Sequence, residues 1–302
     1  MRITNNTMTY NFLNSLTKNL EKESKIQEQL ADGKIIHRPS DDPIKAVRSL
    51  RNNTSLSVNT QYTQNAKDAQ SWMQTTDGAM SDLSSIMTSI KEKVVQASNG
   101  TNDQQAVQAI GTDIDGLINQ IVNIGNTKIG DRYIFAGQKD KTTPFVRSGD
   151  VVTYDGDLNK ISMPLQPGMV SPNQDSVNLT GKDVFGSGGT EILNNLLEIK
   201  QHLMSGTSAD QQWLSSTGLA NLDTDHASIL QAQTALGSRM SMYEMAGNML
   251  EGNNTIITQD LASNEDLDIP KAVTDLKTSE TVYQTALQAA AKIMQVSLAD
   301  FL

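Results

Sequence analysis

A heptad pattern of apolar residues near each end of the chain is the strongest constraint on its fold. The register that starts at Val273 has only two polar members, Glu280 and Ser297, and its apolar members are Val273, Leu276, Tyr283, Leu287, Ala290, Met294 and Phe301. Near the other end the same spacing holds at Leu13, Leu16, Leu20 and Leu30. A helix with one apolar stripe must bury it. We therefore expect these helices to pack on each other or on other copies of the chain.

The last residues extend this apolar surface. Leu298, Phe301 and Leu302 form a tip at the end of the predicted helix, and an exposed apolar tip indicates a binding surface. Two positions weaken the N-terminal seam, since Glu23 and Gln27 fall on the same register. We predict that both seams and the tip form an assembly interface.

Composition excludes several classes of partner. The net charge is −10 and the pI is near 4.8, which argues against nucleic acid and against docking on an anionic membrane. Hydrophobic content of 37% and aromatic content of 4% suit long thin bundles better than one thick core. Absence of cysteine fits either a reduced cytosolic protein or an exported one without disulfides. Met1 to Tyr10 is polar and no apolar segment follows, so we expect no secretory signal and no membrane insertion.

Capping residues and periodicity predict six helices. They cover about 7–31, 43–98, 103–124, 191–204, 210–260 and the C-terminal segment after 270. Asp32 and Gly33 end the first helix. Ser40 or Asp41 is the expected N-cap of the second, with Pro43 in its first turn. The seam of the second helix begins at Ala69, Trp72, Thr76, Ala79 and Leu83, and that of the third runs through Val107, Ile110, Ile114, Leu117, Ile121 and Ile124.

The pattern changes between residues 130 and 189. Aromatic and β-branched residues bounded by glycine predict a strand over 132–137, and a second strand over 151–154 leads into a hairpin turn at Asp155 and Gly156. Ile161, Met163 and Leu165 alternate with polar residues, as in a half-buried strand. Prolines and glycines in the remainder are expected to exclude helices. We predict a small β-rich insert that faces the surface.

Together these elements predict a mainly α protein with a small β-rich insert. The N- and C-terminal arms are expected to form a long antiparallel helical bundle or coiled-coil rod. The predicted domains are a terminal coiled-coil assembly domain (1–42 with 265–302), a helical rod domain (43–129 with 190–264, including a β-hairpin start at 130–145) and a variable β-rich outer domain (146–189).

No constellation of residues predicts catalysis, a cofactor or a metal site. The histidines at 37, 202 and 226 lack metal-ligand spacing, and no cysteine could complete a site. Asp41 and Asp42 are expected to cap a helix rather than to act as paired carboxylates. Trp72 and Trp213 are expected to pack within helices. A set of methionines, Met240, Met242, Met245 and Met249, is expected to fill gaps between helices rather than to line a binding groove.

Several motifs resemble the flagellin superfamily. At the N-terminal end they are residues 1–5, 27–34 and the turn Arg38, Pro39, Ser40, Asp41, Asp42 and Pro43. Residues 130–137, with Arg132, Tyr133, Phe135 and Gly137, followed by 143–145 and by the ending 297–302, are similar to the branch of flagellar hook-associated protein 3, which joins hook and filament. The residues from about 146 to 189 resemble this branch only in their general type of sequence and not in a specific motif.

The resemblance implies a structural subunit of the bacterial flagellum. Such a subunit would form a ring of its own copies, with the hook-side hook-associated protein on one face and flagellin on the other. It would leave the cytoplasm through the flagellar type III export apparatus. A cytoplasmic export chaperone would hold its C-terminal helix beforehand.

Three other functions compete with this one. A flagellin filament subunit is the nearest, and copy number per flagellum, a few or thousands, separates the two. A soluble enzyme on a helical scaffold would need a pocket with convergent polar groups, and the sequence shows none. A generic coiled-coil adaptor would not need the β-rich insert or the flagellin-like motifs.

Overall fold

A computed structural model describes residues 5–99, 102–166 and 176–299. Its helices are α1 (Asn5–Asp32), α2 (Pro43–Ser98), α3 (Gln104–Gly125), α4 (Gly181–Phe185), α5 (Glu191–Ser205), α6 (Ser208–Trp213), α7 (Leu219–Glu265) and α8 (Ile269–Ala299). The strands are β1 (Lys128–Ile129), β2 (Arg132–Tyr133), β3 (Phe145–Ser148) and β4 (Val151–Tyr154). The predicted class, mainly α with a small β-rich insert, is confirmed.

The chain forms two compact units. The first contains residues 1–59 and 253–302, and the second contains residues 60–252. Helices α2 and α7 each contribute residues to both units. The three-part division predicted from the sequence stays a prediction.

The second unit has a continuous apolar core. The predicted seam of α2 is buried at Ala69, Trp72, Thr76, Ala79 and Leu83, and the seam of α3 is buried at Val107, Ile110, Ile114 and Ile121. These faces pack with α5 and α7, which bury Leu196, Leu203, Leu236 and Tyr243. A break of one π-helical turn, Leu214–Gly218, separates α6 from α7, so the single helix predicted over 210–260 is interrupted there.

The β structure differs from the prediction in three places. Strand β2 ends at Tyr133, because residues 134–137 turn inward and are buried instead of pairing. The hairpin turn lies at Gly149 and Asp150, not at Asp155 and Gly156, and it joins β4 to a strand, β3, that the pattern missed. Gly149 has φ +65°, the left-handed conformation that tight hairpin turns need. Ile161 to Leu165 form no strand, only a bridge between Ser162 and Ser176.

The expectation of a surface-facing insert is wrong. Phe145, Val152, Val177, Leu179 and Phe185 are buried and belong to the same apolar cluster as the helices. The rings of Phe145 and Phe185 pack edge to face at 4.7 Å. Helix α4 and a 3-10 turn also lie within the stretch that was expected to exclude helices.

In the first unit, α1 and α8 pack against each other as antiparallel helices. Asn19 Nδ2 donates to the carbonyl oxygen of Ser279 at 3.1 Å, and nearer the other end Lys34 pairs with Asp266 in an isolated β-bridge. The start of α2 is capped by Asp42, whose Oδ1 accepts from the backbone N–H groups of Ile44 and Lys45. The N-cap is therefore Asp42, not Ser40 or Asp41.

Candidate assembly surface

The faces that α1 and α8 turn toward each other are only partly apolar. The most covered positions keep the heptad spacing, at 12, 16, 19, 23, 26 and 30 on α1 and at 272, 276, 279, 283, 286 and 290 on α8. They include the polar residues Asn19, Glu23 and Ser279. Of these positions, only Ile26, Ala272 and Ser279 are fully buried.

The predicted interface residues divide between two faces of these helices. Leu16, Leu30, Leu276, Tyr283 and Ala290 lie in the α1–α8 seam and are half-buried. Four others point away from it and stay exposed, namely Leu13, Leu20, Val273 and Leu287. Met294 and Leu298 lie in α8 at positions whose side chains are not described, and Phe301 and Leu302 lie outside the described residues. We name the four exposed residues the outer arm surface.

A polar clamp fixes how α1 and α8 meet. The backbone N–H of Ile35 donates to the Glu265 carbonyl at 2.7 Å, and that of Leu267 donates to the Gly33 carbonyl at 2.9 Å. The Lys34 Nζ atom lies 2.9 Å from the buried Glu265 carboxylate. Its hydrogen bond to Glu265 raises the pKa of Lys34. The clamp therefore joins the end of α1 to the segment between α7 and α8 through polar contacts alone.

The turn between α1 and α2 is organised by Asp41. Its carboxylate accepts from Lys25 Nζ at 2.7 Å and from the backbone N–H groups of Arg38 and His37. The hydrogen bond from Lys25, then those from the backbone, lower the pKa of Asp41 from 3.8 to about 2. Arg38, Pro39 and Ser40 are exposed on this turn. The Arg38–Pro43 motif therefore builds a rigid connection and leaves its cation in solvent.

The second motif has a structural role in the other unit. Arg132 forms an ion pair with Asp140 and stacks over the Trp72 ring at 4.9 Å. Tyr133 shares a 2.8 Å hydrogen bond with Thr143, and Phe135 is fully buried. At Gly137, φ is +71° and a Cβ would lie 2.1 Å from an Asp157 oxygen, so only glycine fits.

Sequence reasoning missed the most exposed apolar residues of α2. Ile44, Val47 and Leu50 are 73%, 67% and 65% exposed. The predicted seam of α2 begins only at Ala69, so the regular three-residue spacing of these residues was not recognised as a face. The methionine expectation also needs correction. Met240 packs against the core, whereas Met242, Met245 and Met249 are exposed and fill no gap.

The histidines occupy structural positions. His202 Nδ1 lies 2.6 Å from Asp210 Oδ1 and its ring stacks on Trp213 at 3.9 Å. His226 Nε2 lies 2.9 Å from Ser84 Oγ. Across the described residues no group of three or more acidic, histidine or cysteine side chains could hold a metal ion. Nor is any helix in that part of the chain both long and apolar enough to cross a membrane.

Two protein-family models match the two ends of the chain. The model of the bacterial flagellin N-terminal helical region matches residues 3–140, and that of the C-terminal helical region matches residues 219–302. Together they match more than half of the chain. This protein belongs to the flagellin family, whose members are structural components of the bacterial flagellum.

Within that family the chain is similar to hook-associated proteins along nearly its whole length. It is 27% identical to flagellar hook-associated protein 3 of Escherichia coli over 308 residues, which covers 97% of this chain and 95% of that protein. It is also 25% identical to flagellin of Bacillus subtilis over 96% of this chain and 94% of that one. Its fold matches the crystal structure of Xanthomonas campestris FlgL with a TM-score of 0.62 at 17% identity, covering 70% of this chain and 99% of that one.

Proposed function

We propose that this protein is the junction subunit of the flagellum, a ring-forming structural protein between the hook-side hook-associated protein and the flagellin filament. The observation that carries the proposal is the outer arm surface. Helices α1 and α8 satisfy their backbone hydrogen bonds internally and pack on each other, yet Leu13, Leu20, Val273 and Leu287 stay in solvent. The similarity to hook-associated protein 3 also favours the junction, with 27% identity against 25% for the flagellin of Bacillus subtilis over matches of nearly equal extent.

Burial of apolar side chains is sufficient to drive assembly through this surface. Because these leucines are already about half covered in the subunit, burying the rest of one side chain contributes about 1 kcal/mol. Each copy contributes two leucines from α1 and one from α8, besides Val273. Because the contact repeats around a ring, a modest gain per copy favours the closed assembly over the free subunit.

The proposal also covers how the chain leaves the cell and which proteins it contacts. The chain is exported unfolded by the flagellar type III apparatus and assembles outside the cell. Before export a cytoplasmic chaperone holds the C-terminal helix, where Leu298, Phe301 and Leu302 provide an apolar tip. Afterwards one face of the ring contacts the hook-side hook-associated protein and the other contacts flagellin. The protein carries out no catalysis.

Leu287→Asp tests the proposal directly. Leu287 is 44% exposed, so a carboxylate there costs the free subunit little, and we expect its melting temperature to move by no more than a few degrees. In the assembled ring the same position is dry, and an unpaired buried carboxylate costs several kcal/mol as an order of magnitude. We expect the variant to be exported and to build no filaments in cells that lack the wild-type protein.

A neighbouring substitution provides the control. Gln288→Asp adds the same charge at an exposed position one residue along α8, turned away from Leu287, and should leave filament growth intact. Normal filaments with Leu287→Asp would contradict the proposal. A fall of tens of degrees in the melting temperature would show that Leu287 belongs to the core of the free subunit.

A filament subunit remains the second candidate, because the similarity to Bacillus subtilis flagellin also spans nearly the whole chain. The two functions differ in copy number. Quantitative mass spectrometry of purified flagella should find a few copies of this protein for each flagellum. Thousands of copies would identify it as the filament itself.

A further inference from the structure

In the first four turns of α2 the covered side mixes polar and apolar residues, whereas three large apolar residues face solvent. On the inner side, Asn264 Nδ2 donates to the Lys45 carbonyl at 2.9 Å, and the amide of Asn53 lies 3.5 Å from the Glu265 carboxylate. Ile44, Val47 and Leu50 lie on the outer side. A surface helix in a free-standing protein turns its large apolar side chains inward, so three of them in solvent within two turns are unusual. This outer face therefore needs a cover that the subunit does not provide.

The same outer face is basic. Arg48 lies one turn after Ile44, and Arg51 lies one turn after Val47, so guanidinium groups flank the apolar residues. Both arginines are exposed, and neither forms an ion pair with any described residue. The sequence has no acidic residue between Asp42 and Asp68. We name Ile44, Val47, Leu50, Arg48 and Arg51 the α2 surface.

A complementary surface lies at the end of α7 in the same unit. Ile256 is 57% exposed, and Asp260 follows it by one helical turn, also exposed. Asp260 has no ion-pair partner among the described residues. From residue 253 to residue 268 every charged residue is acidic. We name Ile256 and Asp260 the α7 surface.

We infer that the α2 surface of one copy docks on the α7 surface of a second copy. This rests on the proposed function, in which copies of the chain assemble. Apolar residues meet apolar residues, and Arg48 and Arg51 meet an acidic patch, which gives both affinity and register. Within one copy the two surfaces cannot meet, because α2 and α7 pack through their opposite sides. In the proposed ring this contact is head-to-tail and its covalent ladder continues past two copies, whereas a reciprocal exchange of the two surfaces would stop at a dimer.

Engineered disulfides test this contact in assembled flagella. The natural chain has no cysteine, so any disulfide between copies must come from the introduced residues. With Val47→Cys and Ile256→Cys in one full-length chain, mild oxidation should give a ladder of covalent multimers. Each single variant should give monomers only, and a mixture of the two single variants should give dimers and nothing larger. Val47→Cys combined with Val95→Cys, a residue of α2 that is 44% exposed in the other unit, is the control and should give no ladder.

Charge reversal gives an independent measurement. Arg51→Asp alone and Asp260→Arg alone should each lower the motility of the cells at least about tenfold, because like charges then face each other across the contact. The two changes together in one chain should restore motility to within about threefold of wild type, since the pair is re-formed with its signs exchanged.

Several results would overturn the inference. They are dimers formed by either single cysteine variant, a cross-link to a different flagellar protein, no cross-link although the protein is present in the flagella, and failure of the double charge reversal to recover. A chain that is exported but absent from the flagella would refute the proposed function as well. If the double cysteine variant is present in the flagella but gives no ladder of multimers, the docking is refuted and the proposed function is not.

Discussion

The two units bury their apolar residues very differently. The second unit holds nearly all the buried apolar side chains of the described chain, including Phe135, Phe145 and Tyr243, in one cluster. In the described part of the first unit only Ile26, Ala46 and Ala272 are buried apolar residues. Its helices are instead held by the clamp at Lys34 and Glu265. Regular helices thus occur in both units, but only one has a core, so helix formation alone does not show that a region is stable by itself.

The largest effect should come from the core of the second unit. Phe145 is buried, and a Cβ on Gly125 would lie 2.7 Å from its ring, so the site cannot collapse easily. We expect Phe145→Ala to lower the free energy of unfolding by about 3–5 kcal/mol in a denaturant titration. Val146→Ala, at an exposed position next to it, should change it by less than about 0.5 kcal/mol. Equal effects of the two variants would contradict a packed insert.

The clamp of the first unit should respond to Glu265→Gln. The change keeps the shape but removes the charge next to Lys34, which is about half exposed, so screening limits the loss to about 1 kcal/mol. Amide hydrogen exchange at Ile35 and Leu267 should be about fivefold faster. Because the pKa of Lys34 is raised above 10.5, the ion pair is fully present across neutral pH and is lost only as pH rises through that higher pKa.

Two observations would weaken the contrast between the units. One is unchanged exchange at Ile35 in Glu265→Gln. The other is faster exchange in the α3 core of that variant, which would mean that the clamp supports the second unit too. Glu280→Gln, which breaks the surface pair with Lys277, is the control and should leave the Ile35 amide unaffected.

The second unit also contains a buried charge whose removal should stabilise it. Asp225 is buried and accepts two contacts from Asn195 Nδ2, at 3.1 and 2.9 Å. Burial raises the pKa of Asp225 above 3.8, so the folded state loses stability as pH rises from 3.8 through that higher value. We expect Asp225→Asn to raise the free energy of unfolding at pH 7 by about 1 kcal/mol.

The control for this change is Asp223→Asn, two residues earlier. Asp223 pairs with Lys91 at the surface, and its loss should change stability by less than about 1 kcal/mol in either direction. A loss of stability in Asp225→Asn at neutral pH would show that the Asn195 contact outweighs the cost of burying the charge.

The smallest effect concerns Asp41 and should be visible only by NMR. Its carboxyl carbon should titrate with a midpoint near pH 2, because Lys25 and two backbone N–H groups stabilise the ionised form. Its contribution to the turn is present above pH 3.8 and is lost as pH falls through about 2. Lys25→Ala should move the midpoint up toward 3.8. A midpoint already at 3.8 in the wild type would mean that the turn is not organised in solution.

The sequence predicted the helices that carry their own stop and start signals. Asp103 caps α3 through the Ala106 N–H, and that helix lies within one residue of its predicted bounds. The hairpin turn was not predictable, since Gly149 and Gly156 give equal local signals. Pairing of Phe145 with Tyr154 selects the first, and both side chains pack with the core of the second unit, which the turn residues alone do not reveal.

The rotation of α1 and α8 about their own axes could not be predicted from local sequence patterns either. Apolar periodicity favours the stripe through Leu13 and Leu287, but Ile26 and Ala272, one position earlier in each register, face inward instead. The α2 surface was missed for a related reason. Periodicity assigns apolar residues to a core, and here three large apolar residues face solvent while the packed side of the helix is partly polar.

The separation of α1 from α8 along the chain has a consequence for the order of folding. Asn19 and Ser279 meet across 260 residues, and closing so long a loop in an unfolded chain carries an entropic cost for few apolar contacts in return. Folding of the second unit places Lys67 and Glu251 3.2 Å apart and so shortens the effective loop. The first unit must therefore form last, and any change that slows the second unit delays both.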